Sequence, residues 1–280
     1  MKVAFGWPSG WRKSDPSLRG AKRRSPDAGS ECGVRASSRS AVLAMTRILY
    51  AGDSEVGGPA NYLLGILKFL KARVTHVPPG KILHSVYLKK KFDAIILSDF
   101  SKAATPPATQ KAIAEQVKKG TGLLMVGGWG SFSGPFGKWQ GSLVEKLLPV
   151  RCLETDDRMN LPGGAWLIRK ERHPAIDHLD FKNPPVICGL NRFRPRGRSR
   201  VLLTARSIAD GKEFPLLVVS ENHGMRTAAL ATDLAPHWAG GLVDWGRKRL
   251  RLPVKGKIQI EVGETYVRFV SSLVKWLIGC

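Results

Sequence analysis

The glycine-rich segment Gly127-Gly128-Trp129-Gly130-Ser131, with Phe132 behind it, is the stretch best composed to hold a ligand. Glycines let the backbone approach a bound group closely, and their amides can cradle an anion. A tight turn that binds nothing fits the same residues. Ser131 becomes a nucleophile only beside a base. His237 follows an apolar strand, and Asp233 or Asp99 is available to orient it. Serines in such loops also commonly cap backbone, so geometry decides between the two. His237-Trp238 suits a general base with a stacking edge, or a purely structural pair. Asp53 and Asp99 sit at neighbouring strand ends, suited to a cation, to ligand hydroxyls, or to capping the next helix. The catalytic candidates are therefore Ser131, His237 and Asp233. The ligand-binding candidates are Asp53, Asp99, Gly127, Gly128, Trp129, Ser131, Phe132, His237 and Trp238. Asp156 and Asp157 read as solvated acids on a loop.

Four cysteines (Cys32, Cys152, Cys188 and Cys280) lack CxxC or CxxH spacing. They read as reduced thiols of a cytoplasmic protein with no metal centre, and no motif calls for a cofactor.

The elements that position these residues follow from apolar periodicity. Arg47–Asp53, Arg73–Pro78, Phe92–Phe100 and Gly122–Gly128 are short apolar runs, the form of strands covered on both faces. Pro59 opens a helix with Leu63, Leu64, Leu67 and Leu70 on one face. A second helix runs from Thr105-Pro106 to Lys119, with Gly120 as its cap. Alternating strand and helix predicts a doubly wound, mostly parallel α/β sheet with helices on both faces. Three further strands (RVLLTARS, FPLLVVSEN, MRTAALATD) and a last helix, ETYVRFVSSLVKWLIG, continue one domain over 46–280. In such sheets ligands lie beyond the carboxyl ends of the strands, where the candidates cluster.

Residues 1–45 have no such period. They are rich in Ser, Arg, Gly and Pro, and read as a disordered basic tail, or as translation from a start upstream of Met45. No apolar run is long enough for a membrane span or a secretory signal. The net charge is +23, with nine basic and three acidic residues in the first 45. That field attracts polyanions without a dedicated site. Arginines at 192, 194, 196, 198 and 200 would form a stripe if the chain were extended, although Pro195 and Gly197 interrupt it.

GLLMVGGWGSFSGPFG, with ILSDF before it, LLPV and DDR after it and DLAPHW near the end, resembles the glutamine amidotransferase-like domain family. That family lies within the class I glutamine amidotransferase-like superfamily, and the resemblance runs from about Arg47 to the C-terminus. It implies a flavodoxin-like sheet. Arg247 to Gly263 look like an insertion relative to the family pattern. In true class I amidotransferases the matching strand ends in Gly-x-Cys-x-Gly, and the cysteine attacks the glutamine amide. Here Trp129 stands at about that place. The resemblance thus implies a domain without the usual nucleophile, binding a small molecule or protein partner. The open alternatives are an active hydrolase or amidotransferase with a non-cysteine nucleophile and a basic nucleic-acid-associated protein.

Overall fold

The computed structural model describes residues 45–280. The expectations for the tail and for Cys32 lie outside them. The chain runs β1 (Arg47–Gly52), α1 (Ala60–Phe69), β2 (Arg73–Val77), β3 (Ala94–Ser98), α2 (Pro107–Lys118), β4 (Gly122–Val126), α3 (Leu143–Leu147), β5 (Val150–Cys152) and β6 (Arg158–Arg169). It continues through β7 (Val186–Asn191), β8 (Phe193–Pro195), β9 (Arg200–Ser207), β10 (Glu213–Asn222), β11 (Met225–Leu230) and α4 (Pro236–Ala239), ending in β12 (Arg249–Lys255), β13 (Ile258–Gly263) and α5 (Glu264–Leu277).

Nine strands form one sheet in the order β2-β1-β3-β4-β11-β10-β9-β6-β7. The apolar runs read as parallel strands are parallel: β1 pairs with β2 and β3, β3 with β4, and β4 with β11. Ile48 to Ala51 and Ala94 to Ile96 are wholly buried. Each fully buried Leu, Ile or Val side chain among them contributes roughly 1.5–3 kcal/mol.

The expectation of a mostly parallel sheet is corrected beyond β11. From there β10, β9, β6 and β7 pair antiparallel. The reason is connection length: β10 and β11 are joined by a turn at His223-Gly224, both at positive φ, too short to cross over for parallel pairing. β6 went unread as a strand because its middle, Leu161-Pro162-Gly163-Gly164, holds turn-forming residues; the ladder with β7 is irregular there.

The segment that looked like an insertion is the β12–β13 ribbon. It packs on α1 through Gly65, where an added Cβ would lie 2.9 Å from Ile260. One hydrophobic cluster runs from Ile48 to Leu277. Because β1, β3, β4 and β11 are parallel neighbours, their carboxyl ends share one edge. The loops starting at Asp53, Asp99, Gly127 and Ala231 meet there.

Candidate functional site

At the end of β1, Gly52 and Asp53 turn the chain through positive φ. A side chain at Gly52 would collide with the Ser98 carbonyl, so this position requires glycine. Asp53 and Asp99 both sit in the left-handed region, at φ 60 and φ 50. Aspartate tolerates this better than most residues, and such strain gathers at functional sites. The Asp53 carboxyl accepts a hydrogen bond from the buried Tyr50 hydroxyl and one from Ser98 Oγ at 3.0 Å. Burial pushes it up to about 7 against the pull of those two donors, and the Asp99 charge raises it further.

Asp99 holds the glycine turn. Its carboxyl accepts the Gly130 amide, and the Trp129 amide also favours its charge. Burial still leaves Asp99 raised, opposed by those amides and by His237. An added Cβ at Gly128 would lie 2.7 Å from that carboxyl, and one at Gly130 would lie 2.8 Å from the Asp99 backbone. The turn is therefore a nest of amides around an anion, and the anion is the chain's own aspartate.

The other glycine amides are also engaged. Gly127 N–H donates to the Leu230 and Thr232 carbonyls, and Gly128 N–H donates to Asn191 Oδ1 at 2.9 Å. Asn191 Nδ2 donates in turn to Gly128 O and to Asp157 Oδ1, the latter at 2.7 Å. Asp157 also accepts the Ser133 amide at 2.7 Å and is fully buried, which corrects its reading as a solvated acid. Burial raises it to about 6. Asp156 stays outside, paired with Arg158.

Ser131 is buried beneath the turn. Its hydroxyl donates to the Val126 carbonyl at 2.5 Å and accepts the Asp99 amide at 3.0 Å. The proton that a base would need to remove is committed to a backbone carbonyl. Phe132, another ligand-binding candidate, is fully buried with its ring 5.1 Å from Phe193, so it belongs to the core. Gly127 packs against the Ala231 carbonyl, where a Cβ would lie 2.0 Å away. Neither residue lines a cavity.

Two adjoining cavities open at this edge. One, of about 130 Å³, is lined by Asp53, Asp99, Asp233, His237, Trp129 and Trp238 among others. The second, of about 410 Å³, shares Asp53, Asp99 and Trp129 and is walled on one side by Phe136. Seven residues singled out in the sequence, Gly128 among them, thus converge on one cleft from four separate stretches of the chain. Asp233, read as a partner for His237, instead accepts the Trp238 and Ala239 amides at the start of α4. Asp53 and Asp99 cap neither following helix, whose N-cap positions are Pro59 and Pro106. Burial raises Asp233 to about 8, with Asp53 adding to it. His237 is exposed, and its ring stacks 6.3 Å from that of Trp238. Trp238 packs over Gly189 of β7, and its indole N–H donates to Asn160 at 3.1 Å. Among the described residues, no group of three or more His, Cys, Asp or Glu side chains is arranged to hold a metal ion.

Trp129 is 42% exposed, with Arg158 4.1 Å over its ring and Phe136 stacked 6.4 Å away. Phe136, Asn191 and Asp157 were missed as contributors to this region. Phe136 sits in a Pro/Gly loop without periodicity, and the role of Asn191 depends on a contact 63 residues away. Among the cysteines, Cys152 is in β5, where burial pushes its thiol up, while Cys188 and Cys280 are exposed. None lies on the turn after β4. Among the described residues, no helix is long and apolar enough to cross a membrane.

A parallel-edged α/β sheet with a glycine turn closing its fourth strand is the fold of the class I glutamine amidotransferase-like superfamily. Residues 59–255 match the model of the family described as "Putative glutamine amidotransferase", and the chain belongs to that family. Among solved structures it is similar to the Cytoplasmic Protein STM1381 from Salmonella typhimurium LT2, at 24% identity and a TM-score of 0.65 over 83% of this chain and 99% of that one. It is also similar to the Cytoplasmic Protein STM3548 from Salmonella typhimurium, at 22% identity and a TM-score of 0.63 over 82% and 98%. At these identities the likeness concerns the fold. No curated protein sequence matches the chain.

Proposed function

We propose that this domain binds a small molecule in the cleft of Asp53, Asp99, Asp233, His237 and Trp129, and that it does so without the cysteine chemistry of glutamine amidotransferases. One observation carries the reading: Trp129 stands at about the place of the cysteine in true class I amidotransferases, and Asp99 holds the Gly130 and Trp129 amides of that turn. Stabilising an oxyanion is usually the largest electrostatic contribution to acyl transfer. A site whose donors already hold a carboxylate lacks it. The relatives named as cytoplasmic proteins, and cysteines without disulfides among the described residues, support a cytoplasmic location.

The test is a metabolite screen by thermal shift on the full chain, repeated with D99N and W129A. Ligands that stabilise the wild type should lose their effect in both variants. A glutamine-analogue affinity label that modifies one cysteine stoichiometrically, with matching glutaminase activity, would overturn the reading.

A second reading rests on the raised carboxyls. Asp53 at about 7 and Asp233 at about 8 match the range in which a group both gives and takes a proton near neutrality. General acid–base hydrolysis by this pair predicts a turnover profile with limbs near those values. A flat profile between pH 6 and 9 rejects it.

A further inference from the structure

The arginine run of the sequence does not form one stripe. Arg196 turns inward to Glu145 at 2.9 Å and to the Leu148 and Val150 carbonyls. Arg200 pairs with Glu171, and Arg192 reaches the Asp156 carbonyl. Arg194 and the exposed Arg198 are left without such a partner, and the β5–β8 ribbon places Arg194 directly opposite Arg151. Opposed residues of an antiparallel pair project to the same face. Val150 and Phe193, at neighbouring positions of the two strands, are buried, so both arginines point outward. Two like charges across one rung repel each other. Neither guanidinium has an ion-pair partner among the described residues. Both line a depression of about 570 Å³ together with Gln140 and Thr155. Of its two acidic residues, Glu145 is already held by Arg196 and by the Gly141 and Cys152 amides, while Glu154 stays free.

We propose that the Arg151–Arg194 rung is an anion site for a small phosphate-bearing molecule, separate from the carboxyl cleft. An anion between the two forks relieves their repulsion, and guanidinium pairs match phosphate oxygens bidentately. A depression of about 570 Å³ has room for a phosphate ester, and only two unpaired arginines line it, too few to track a polymer along its backbone. The two sites share no lining residue.

Inorganic pyrophosphate titrated into the full chain by calorimetry, at roughly 0.15 M salt so that diffuse attraction is screened, tests this. Saturable binding is expected, with R151Q and R194Q each weakening it about tenfold or more. R198Q, which removes an exposed arginine outside the depression, should leave it unchanged. Thermal melts should show all three variants folded. E154Q should tighten binding by removing the one free acid. Absence of saturable binding by the wild type, or an equal loss in R198Q, would overturn the proposal. Binding of an RNA oligomer that R151Q and R194Q weaken, with none of pyrophosphate, would also overturn it.

Discussion

The carboxyls on the two sides of the glycine turn, Asp157 on one and Asp53, Asp99 and Asp233 on the other, are built in opposite ways. On the antiparallel side, Asp157 is closed off: Asn191 and the Ser133 amide hold its oxygens, and Asn191 ties the same network to Gly128. On the parallel side, Asp53, Asp99 and Asp233 face a shared cavity, where Asp99 raises Asp53 and Asp53 raises Asp233. Burial raises the pKa on both sides, to about 6 for Asp157 and about 7 for Asp53. A raised carboxyl therefore does not mark a site by itself. Cavity access separates the two groups, because a group sealed among its partners meets no ligand.

The closed side should break hardest. N191A removes the partner of Gly128 N–H and one partner of Asp157, and leaves both buried. Orphaned buried groups cost about 1–3 kcal/mol each, more when charged, so a loss of about 3 kcal/mol is expected by urea unfolding. A loss below about 1 kcal/mol would mean that water reaches the network and that the two sides are not different in kind.

The open side should respond with the opposite sign. Asp53 has a folded value of about 7 against an ordinary 3.8, so the folded form binds the extra proton. Its contribution favours the fold below the unfolded value and is lost as pH rises toward the folded one. D53N removes that loss while keeping an oxygen for the Tyr50 hydroxyl. It should stabilise the chain at pH 8 by about 1–2 kcal/mol and have little effect at pH 4. Equal effects at both pH values would show that hydrogen bonding, rather than charge burial, dominates at Asp53.

This contrast explains what the sequence revealed and what it hid. β1, β3 and β4 were legible as apolar runs because strands covered on both faces have little polar content, and parallel pairing brings their ends together. Asp53, Asp99, Trp129 and His237 could therefore be placed on one edge from their positions at strand ends. β6, β7, β12 and β13 were not placed. In β6 the burial alternates irregularly, and Pro162, Gly163 and Gly164 interrupt it, whereas β12 alternates regularly with Leu250, Leu252 and Val254 inward and was set aside because its segment looks like an insertion. Ser131 and Phe132 were assigned to the site because neighbours in sequence share a loop. The turn sends Trp129 outward and Ser131 inward, a difference of direction that residue types do not encode. Asp157 looked solvated beside Asp156 for the same reason: in the loop before β6, Asp157 turns inward to Asn191 and Ser133 while Asp156 turns outward to Arg158.

The smallest expected effect concerns Trp129, and it bears most directly on the filled nest. Trp129 is exposed at its edge, with contacts to Arg158 and Phe136 that are themselves accessible. W129C should shift stability by no more than about 1 kcal/mol. The substitution puts a thiol at about the place of the cysteine in true class I amidotransferases. It is expected to yield no measurable glutaminase activity, because the Gly130 and Trp129 amides still face Asp99 and an attacked amide would place its oxygen against a carboxyl. His237 faces the same cavity but is exposed, so a base alone is not what is missing. The second substitution follows from the geometry: W129C/D99G empties the nest and removes the negative charge. Activity in that double variant with none in W129C would identify Asp99 as the block. Activity in W129C alone would mean that Asp99 gives way to substrate, and the division between a closed and an open side would then fail at the turn that joins them.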